Sequence, residues 1–179
     1  SLNLNFEIYE DLNKNKTDRY EYVFPDFDYQ KNLYNNNNLN GDLIFNSRGF
    51  NKNYDTNTIE TVLINDLTFS SFPKINNKWS GFQTNYKFLL RNLNSKAEDS
   101  NEFKENENQE LLSTFIFETD LPLKKESKNF SSFLTPKMSF RYSPNATKNN
   151  SNLNKKLTYE SIYSLDRIDD TAVEGGESA

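Results

Sequence analysis

Alternation at period two constrains this chain more than any other feature of its sequence. Leu2, Leu4, Phe6 and Ile8 are separated by Asn3, Asn5 and Glu7, the pattern of a strand with one apolar and one polar face. Tyr20, Tyr22 and Phe24 repeat it, and Phe27 and Tyr29 continue beyond a Pro25-Asp26 corner. Leu43 and Phe45 follow, and then Ile59, Leu63, Leu67 and Phe69 opposite Glu60, Asp66, Thr68 and Ser70, a face that also holds Val62 and Ile64. Phe82, Tyr86, Phe88 and Leu90 alternate with Gln83, Asn85, Lys87 and Arg91. Leu111, Phe115, Phe117 and Leu121 oppose Thr114, Glu118 and Asp120, and Leu134, Met138, Phe140 and Tyr142 oppose Thr135, Lys137, Ser139 and Arg141. Leu157, Tyr159, Tyr163 and Leu165 against Thr158, Glu160 and Asp166 close the series. The pattern predicts about nine strands, many rich in aromatic and β-branched residues.

Polar clusters separate the strands, at residues 13–16, 35–41, 51–56, 73–78, 123–129 and 144–154, with a highly charged connector at 94–108. None looks like the helical crossover of a dozen or more residues that a parallel sheet requires. The expected fold is therefore all-β, an antiparallel up-and-down meander. Asn accounts for 29 of 179 residues, concentrated in these turns, where Asn is well tolerated. The start at Ser1 without Met, and the end at Glu174-Gly175-Gly176-Glu177-Ser178-Ala179, read as an excerpt of a longer chain.

Composition removes several classes of function. There is no Cys and no His, hence no disulfide framework, thiol nucleophile, histidine base or usual zinc ligand set. The formal net charge of −5 argues against nucleic acid, which calls for a basic patch. No apolar run approaches the ~18–20 residues of a transmembrane helix. Mean hydropathy is −0.90, low enough to suggest disorder, but 15 Phe and 10 Tyr are far more than disordered chains carry. The Ser residues lack a histidine partner and the carboxylates form no evident acid–base pair. No catalytic residues, metal ligands or cofactor are expected.

One apolar and one polar face fits two objects. In a soluble sandwich the apolar face packs on a second sheet; in an outer-membrane barrel it meets lipid while the polar face lines a wet lumen. Long strands, mid-strand charges such as Lys87, Glu118, Lys137 and Glu160, and aromatics near strand ends (Tyr20, Tyr22, Phe82, Tyr142, Tyr159 and Tyr163) suit the barrel. Charges on one face of an antiparallel sheet also suit a solvated surface. The pattern leaves both open.

Four local strings add a family resemblance. Asp18-Arg19-Tyr20-Glu21-Tyr22-Val23-Phe24-Pro25-Asp26-Phe27 resembles a strand and corner of the lipopolysaccharide-assembly outer-membrane protein family LptD (OstA, Imp). The run Leu134-Thr135-Pro136-Lys137-Met138-Ser139-Phe140-Arg141-Tyr142-Ser143-Pro144-Asn145 is similar to its "L-T-P-K…R-Y-S-P-N" strand. Ile162-Tyr163-Ser164-Leu165-Asp166-Arg167-Ile168 followed by Val173-Glu174-Gly175-Gly176 resembles its "L-D-R-(I/V)…V-E-G-G" segment, and Asp120-Leu121-Pro122-Leu123 its "D-x-P-L" hairpin end. The resemblance implies an open curved sheet that is part of a large outer-membrane β-barrel passing lipopolysaccharide to the outer leaflet. Its implied partners are lipopolysaccharide, membrane lipid, an LptE-like plug lipoprotein and an LptA-like periplasmic bridge. A porin or TonB-dependent receptor would share the wall pattern, but neither a terminal aromatic strand nor a plug domain is visible. A soluble all-β surface or carbohydrate-binding module is the alternative from another class.

On the barrel expectation Gln83, Asn85, Lys87, Arg91, Lys137, Ser139 and Arg141 face the lumen. Phe82, Tyr86, Phe88, Phe115, Phe117, Met138, Phe140 and Tyr142 face lipid. Lys87, Arg91, Lys137 and Arg141 either meet phosphate groups or pair with Glu118, Glu160 and Asp120. Pro136 is expected to make a bulge within a strand, Asp166-Arg167 a loop or lumen-directed pair, and Gly175-Gly176 a turn or strand entry. A sheet of this kind, with unpaired edges, is not expected to fold alone.

Overall fold

The computed structural model describes residues 1–13, 19–36, 40–55, 57–76, 81–100, 103–145, 158–159, 161–167 and 177–178. Among them are eleven strands: β1 (Leu2–Glu10), β2 (Tyr20–Asn36), β3 (Gly41–Tyr54), β4 (Ile59–Ser71), β5 (Lys74–Asn76), β6 (Phe82–Glu98), β7 (Asn108–Asp120), β8 (Leu123–Glu126), β9 (Ser131–Leu134), β10 (Lys137–Ser143) and β11 (Glu177–Ser178). Nine form one antiparallel sheet in the order β1-β2-β3-β4-β6-β7-β10-β11, with β5 also on β6; β8 and β9 make a separate hairpin. The fold is the expected all-β meander, an open sheet. Elements in extensive contact are those paired within a sheet, and no second sheet is stacked on the large one among the described residues.

Pro residues explain where the strands depart from expectation. The expected strands at 20–24 and 27–29 are one strand, β2. Val23 stands opposite Lys52 and Asp26 opposite Phe50, so Phe24 and Pro25 together face Asn51 in a bulge. Aromatic residues occupy even positions before this point (Tyr20, Tyr22) and odd positions after it (Phe27, Tyr29), and one extra residue keeps all four on the same face. Pro73, which has no N–H, separates β4 from β5, yet both strands pair with β6 in succession. Pro136 does not bulge a strand: it lies between β9 and β10, and its carbonyl accepts from the Leu121 N–H at 3.0 Å. Leu134 therefore belongs to the β8–β9 hairpin and not to the sheet face assigned to it.

Two further expectations fail. The charged connector is shorter than residues 94–108 suggest, because β6 continues to Glu98 on the partner strands β4 and β7. The ninth expected strand is absent: residues 161–163 form a turn, with Ile162 N–H donating to Thr158 O at 3.0 Å and Ser164 N–H to Ser161 O at 3.0 Å. Tyr159 and Tyr163 belong to this turn and not to strand ends. Leu157, Glu160, Glu174, Gly175 and Gly176 lie outside the described residues.

Register fixes two faces. Residues directly opposite in an antiparallel pair share a face, so Glu60, Val62, Ile64 and Asp66 line up with Ala97, Ser95, Leu93 and Arg91. The same face continues through Leu112, Thr114, Ile116 and Glu118 on β7 and through Ser139 and Arg141 on β10. The buried core sits here, as Val62, Ile64, Leu89, Leu93 and Leu112, with Phe50, Phe103 and Leu165 packed against it. The opposite, aromatic face is largely open to its surroundings.

Candidate functional site

All seven polar candidates share the face that holds the core. Lys137, Asp120 and Gln83 form one cross-strand row, and Ser139, Glu118 and Asn85 the next. Lys87 follows beside Ile116, which is itself opposite Arg141, and Arg91 stands between Asp66 and Leu112. The eight apolar candidates all occupy the other face. Tyr86, Phe117 and Phe140 make one row there; Phe69, Phe88, Phe115 and Tyr142 make another. Met138 lies beside Thr119, and Phe82 beside Asn76 at the β5 end. Phe69 and Tyr86 bring their ring centroids to 5.6 Å, an attractive tilted contact.

The polar face divides into two parts. In the inner part Arg91 is only 2% exposed and holds Asp66 in a fork, Nε to Oδ1 at 2.8 Å and Nη2 to Oδ2 at 2.8 Å. Its Nη2 also reaches Asp166 Oδ2 at 2.7 Å, and Arg48 approaches Asp66 at 3.7 Å. A planar guanidinium can satisfy two carboxylates at once, as a lysine ammonium cannot do with the same geometry. Arg141, fully buried, donates from Nε to Ser164 O at 2.9 Å and from Nη2 to Leu165 O at 3.4 Å. Residues 161–167 thus lie over the sheet, with Asp166 on one arginine, the preceding carbonyls on another and Leu165 in the apolar cluster. Asp166 is directed onto the polar face of the sheet, where its partner is Arg91 and not Arg167; Arg167 donates to Ile162 O at 3.2 Å.

The outer part is wetter. Lys87 and Glu118 pair at 3.0 Å, both partly exposed, which is the charge pairing the sequence suggested. A cavity of about 140 Å³ is lined by Gln83, Asn85, Glu118, Asp120, Lys137 and Ser139. Asn85 Oδ1 is buried there without a hydrogen-bond partner among the described residues, and Lys137 makes no ion pair among them. This is a surface of amides, hydroxyls and charges that can hydrogen-bond a polar group brought to it.

No protein-family model, curated protein or solved structure matches this chain.

At the end of β10 the string Ser143-Pro144-Asn145 has a physical role. Pro144 stops the ladder, and the Asn145 side-chain amide continues it. Its Oδ1 accepts from Ser113 N–H at 3.1 Å, and its Nδ2 donates to Ser113 O at 3.1 Å and to Ser143 Oγ at 2.8 Å. Sequence reasoning missed this clamp, and it missed that the polar face contains the core. The signal was present as adjacent apolar residues: Leu89-Leu90, Leu111-Leu112 and Phe115-Ile116-Phe117 break strict alternation and put apolar side chains on both faces of their strands. Leu111 is 63% exposed while Leu112 is 2% exposed. Among the described residues no three His, Cys, Asp or Glu side chains converge on a metal-sized site.

Proposed function

We propose that this chain is part of the wall of a large outer-membrane β-barrel that inserts lipopolysaccharide into the outer leaflet, in a protein resembling the LptD family. One observation carries the wall reading: a wide antiparallel sheet whose aromatic face is uncovered among the described residues while the inner part of its charged face lies beneath residues 161–167. Met138 is 64% exposed, and Phe140, Tyr142, Tyr86, Leu63 and Leu111 join it on that face as exposed apolar side chains. A soluble monomer rarely presents so broad an apolar surface, whereas a lipid-facing wall requires it. Strands of 13–17 residues, such as β2, β4, β6 and β7, exceed the ~9–11 needed for a tilted crossing.

The polar face serves as the lumen. Lipopolysaccharide carries sugars and phosphates, and moving them past Gln83, Asn85, Lys87, Lys137 and Ser139 replaces lost water contacts with hydrogen bonds and opposite charge. The acyl chains need an apolar exit elsewhere in the assembly. Such transfer breaks no covalent bond within the wall, so neither a nucleophile nor a cofactor is assigned. The choice of cargo is supported by the four family-like strings. Two of them contain Arg141, Asn145 and Asp166, residues that hold the inner face together. Partners proposed with it are an LptE-like plug lipoprotein, an LptA-like periplasmic bridge and the outer-membrane lipid itself. Photo-crosslinkers placed at positions 87 and 139 of the full-length protein in cells should capture lipopolysaccharide. Capture of nothing, or of peptidic partners alone, from both positions contradicts the assigned cargo.

A further inference from the structure

Residues 161–167 are fastened to the sheet by carbonyls and side chains. Among the described residues their backbone–backbone hydrogen bonds are local, from Ile162 N–H to Thr158 O and from Ser164 N–H to Ser161 O. Ser164 Oγ also donates within the segment, to Ser161 O at 2.8 Å and to Asp166 O at 3.0 Å. Attachment to the sheet runs through three consecutive residues: the Ser164 carbonyl, the Leu165 carbonyl and side chain, and the Asp166 carboxylate. A carboxylate and two carbonyls set on two buried guanidinium groups present the same acceptor chemistry as the oxygens of a phosphate group.

We infer that residues 164–166 are an internal pseudo-ligand, occupying an anion site built by Arg91 and Arg141 that a phosphate monoester can take in exchange. The inference deepens the lumen reading and rests on it for the lipid source of that phosphate. Exchange moves the segment off the sheet and uncovers the apolar cluster beneath Leu165, so the site and its cover are one device. Closed, the two arginines are satisfied within the chain; open, they meet a headgroup.

The chain has no cysteine, so Leu165→Cys, in a parent whose cysteines outside this chain are replaced by serine, gives a single thiol that reports whether the segment is seated. In the full-length protein in outer-membrane vesicles, a water-soluble maleimide should react slowly at position 165. A diphosphorylated glucosamine lipid should accelerate the reaction on the order of tenfold, as should Asp166→Asn without lipid. Inorganic phosphate is the second arm: acceleration by it alone keeps the anion site and overturns the lipid source. A rate unmoved by either phosphate source overturns the inference, whether or not Asp166→Asn moves it. Should Leu165→Cys fail to fold, limited proteolysis of the unsubstituted protein within residues 161–167, with and without the same two additives, gives the same decision. Failure of the membrane reading is seen separately, as an unprotected thiol in Met138→Cys in the same vesicles, and leaves the labelling at position 165 interpretable.

Discussion

The two faces of the sheet are built from the same alternating strands, yet the one richer in charge is the one that is buried. On the aromatic face, side chains stand in rows and keep much of their surface open. On the polar face, five aliphatic residues close around Arg91, with Leu165 and Phe103 laid over them. The difference teaches that residue type sets which side chains share a face, while cover sets which face becomes a core. Here the cover is a short turn held by arginines, and its effect is to enclose charge and hydrocarbon together. Buried charge is tolerated because each guanidinium is met by carboxylates or carbonyls with good geometry.

Substitutions can break this contrast in order of size. Arg91→Ala leaves Asp66 and Asp166 without their shared cation in a buried setting, and should cost about 3–5 kcal/mol of stability. Denaturant unfolding of the full-length protein in detergent would measure it, and a cost near that of a surface change would mean that the ion cluster contributes little. Leu112→Ala comes next, expected at about 2–5 kcal/mol for a fully buried Leu. Its neighbour Leu111→Ala should stay within about 0.5 kcal/mol. Equal effects at the two positions would erase the distinction between the faces. The smallest effect belongs to the outer, wetter part: a double-mutant cycle on Lys87 and Glu118 should return a coupling of ~0.2–1 kcal/mol, because both groups keep solvent.

Much of the fold was legible because period two states both strand and face at once. The seven lumen-assigned residues share one face of the sheet and the eight lipid-assigned residues share the other, including Lys137 and Met138 just after Pro136. Strand limits were less legible. Pro25 looked like a corner, since a sequence does not display the partner strands that carry β2 across the bulge. The ninth strand failed because Tyr163 and Leu165 alternate without a partner strand among the described residues, and Leu165 is apolar for a tertiary reason. Long-range partners were least legible of all. Lys87 and Glu118 lie directly on neighbouring strands, and that pair was anticipated; Arg91 and Asp166 are separated by 75 positions, and no local pattern joins them. Asn145 acts through its side-chain amide as a substitute for backbone, a role that residue type in a turn cluster does not announce.

The most direct measurement is a depth scan along β6. Single cysteines at positions 85 to 88, placed in the full-length protein, can carry a fluorophore in bilayers containing nitroxide on the acyl chains. Positions 86 and 88 should be quenched and positions 85 and 87 should not, a period-two signal with lipid on the aromatic face. Uniform behaviour across all four positions, or quenching at 85 and 87 instead, would contradict a membrane wall.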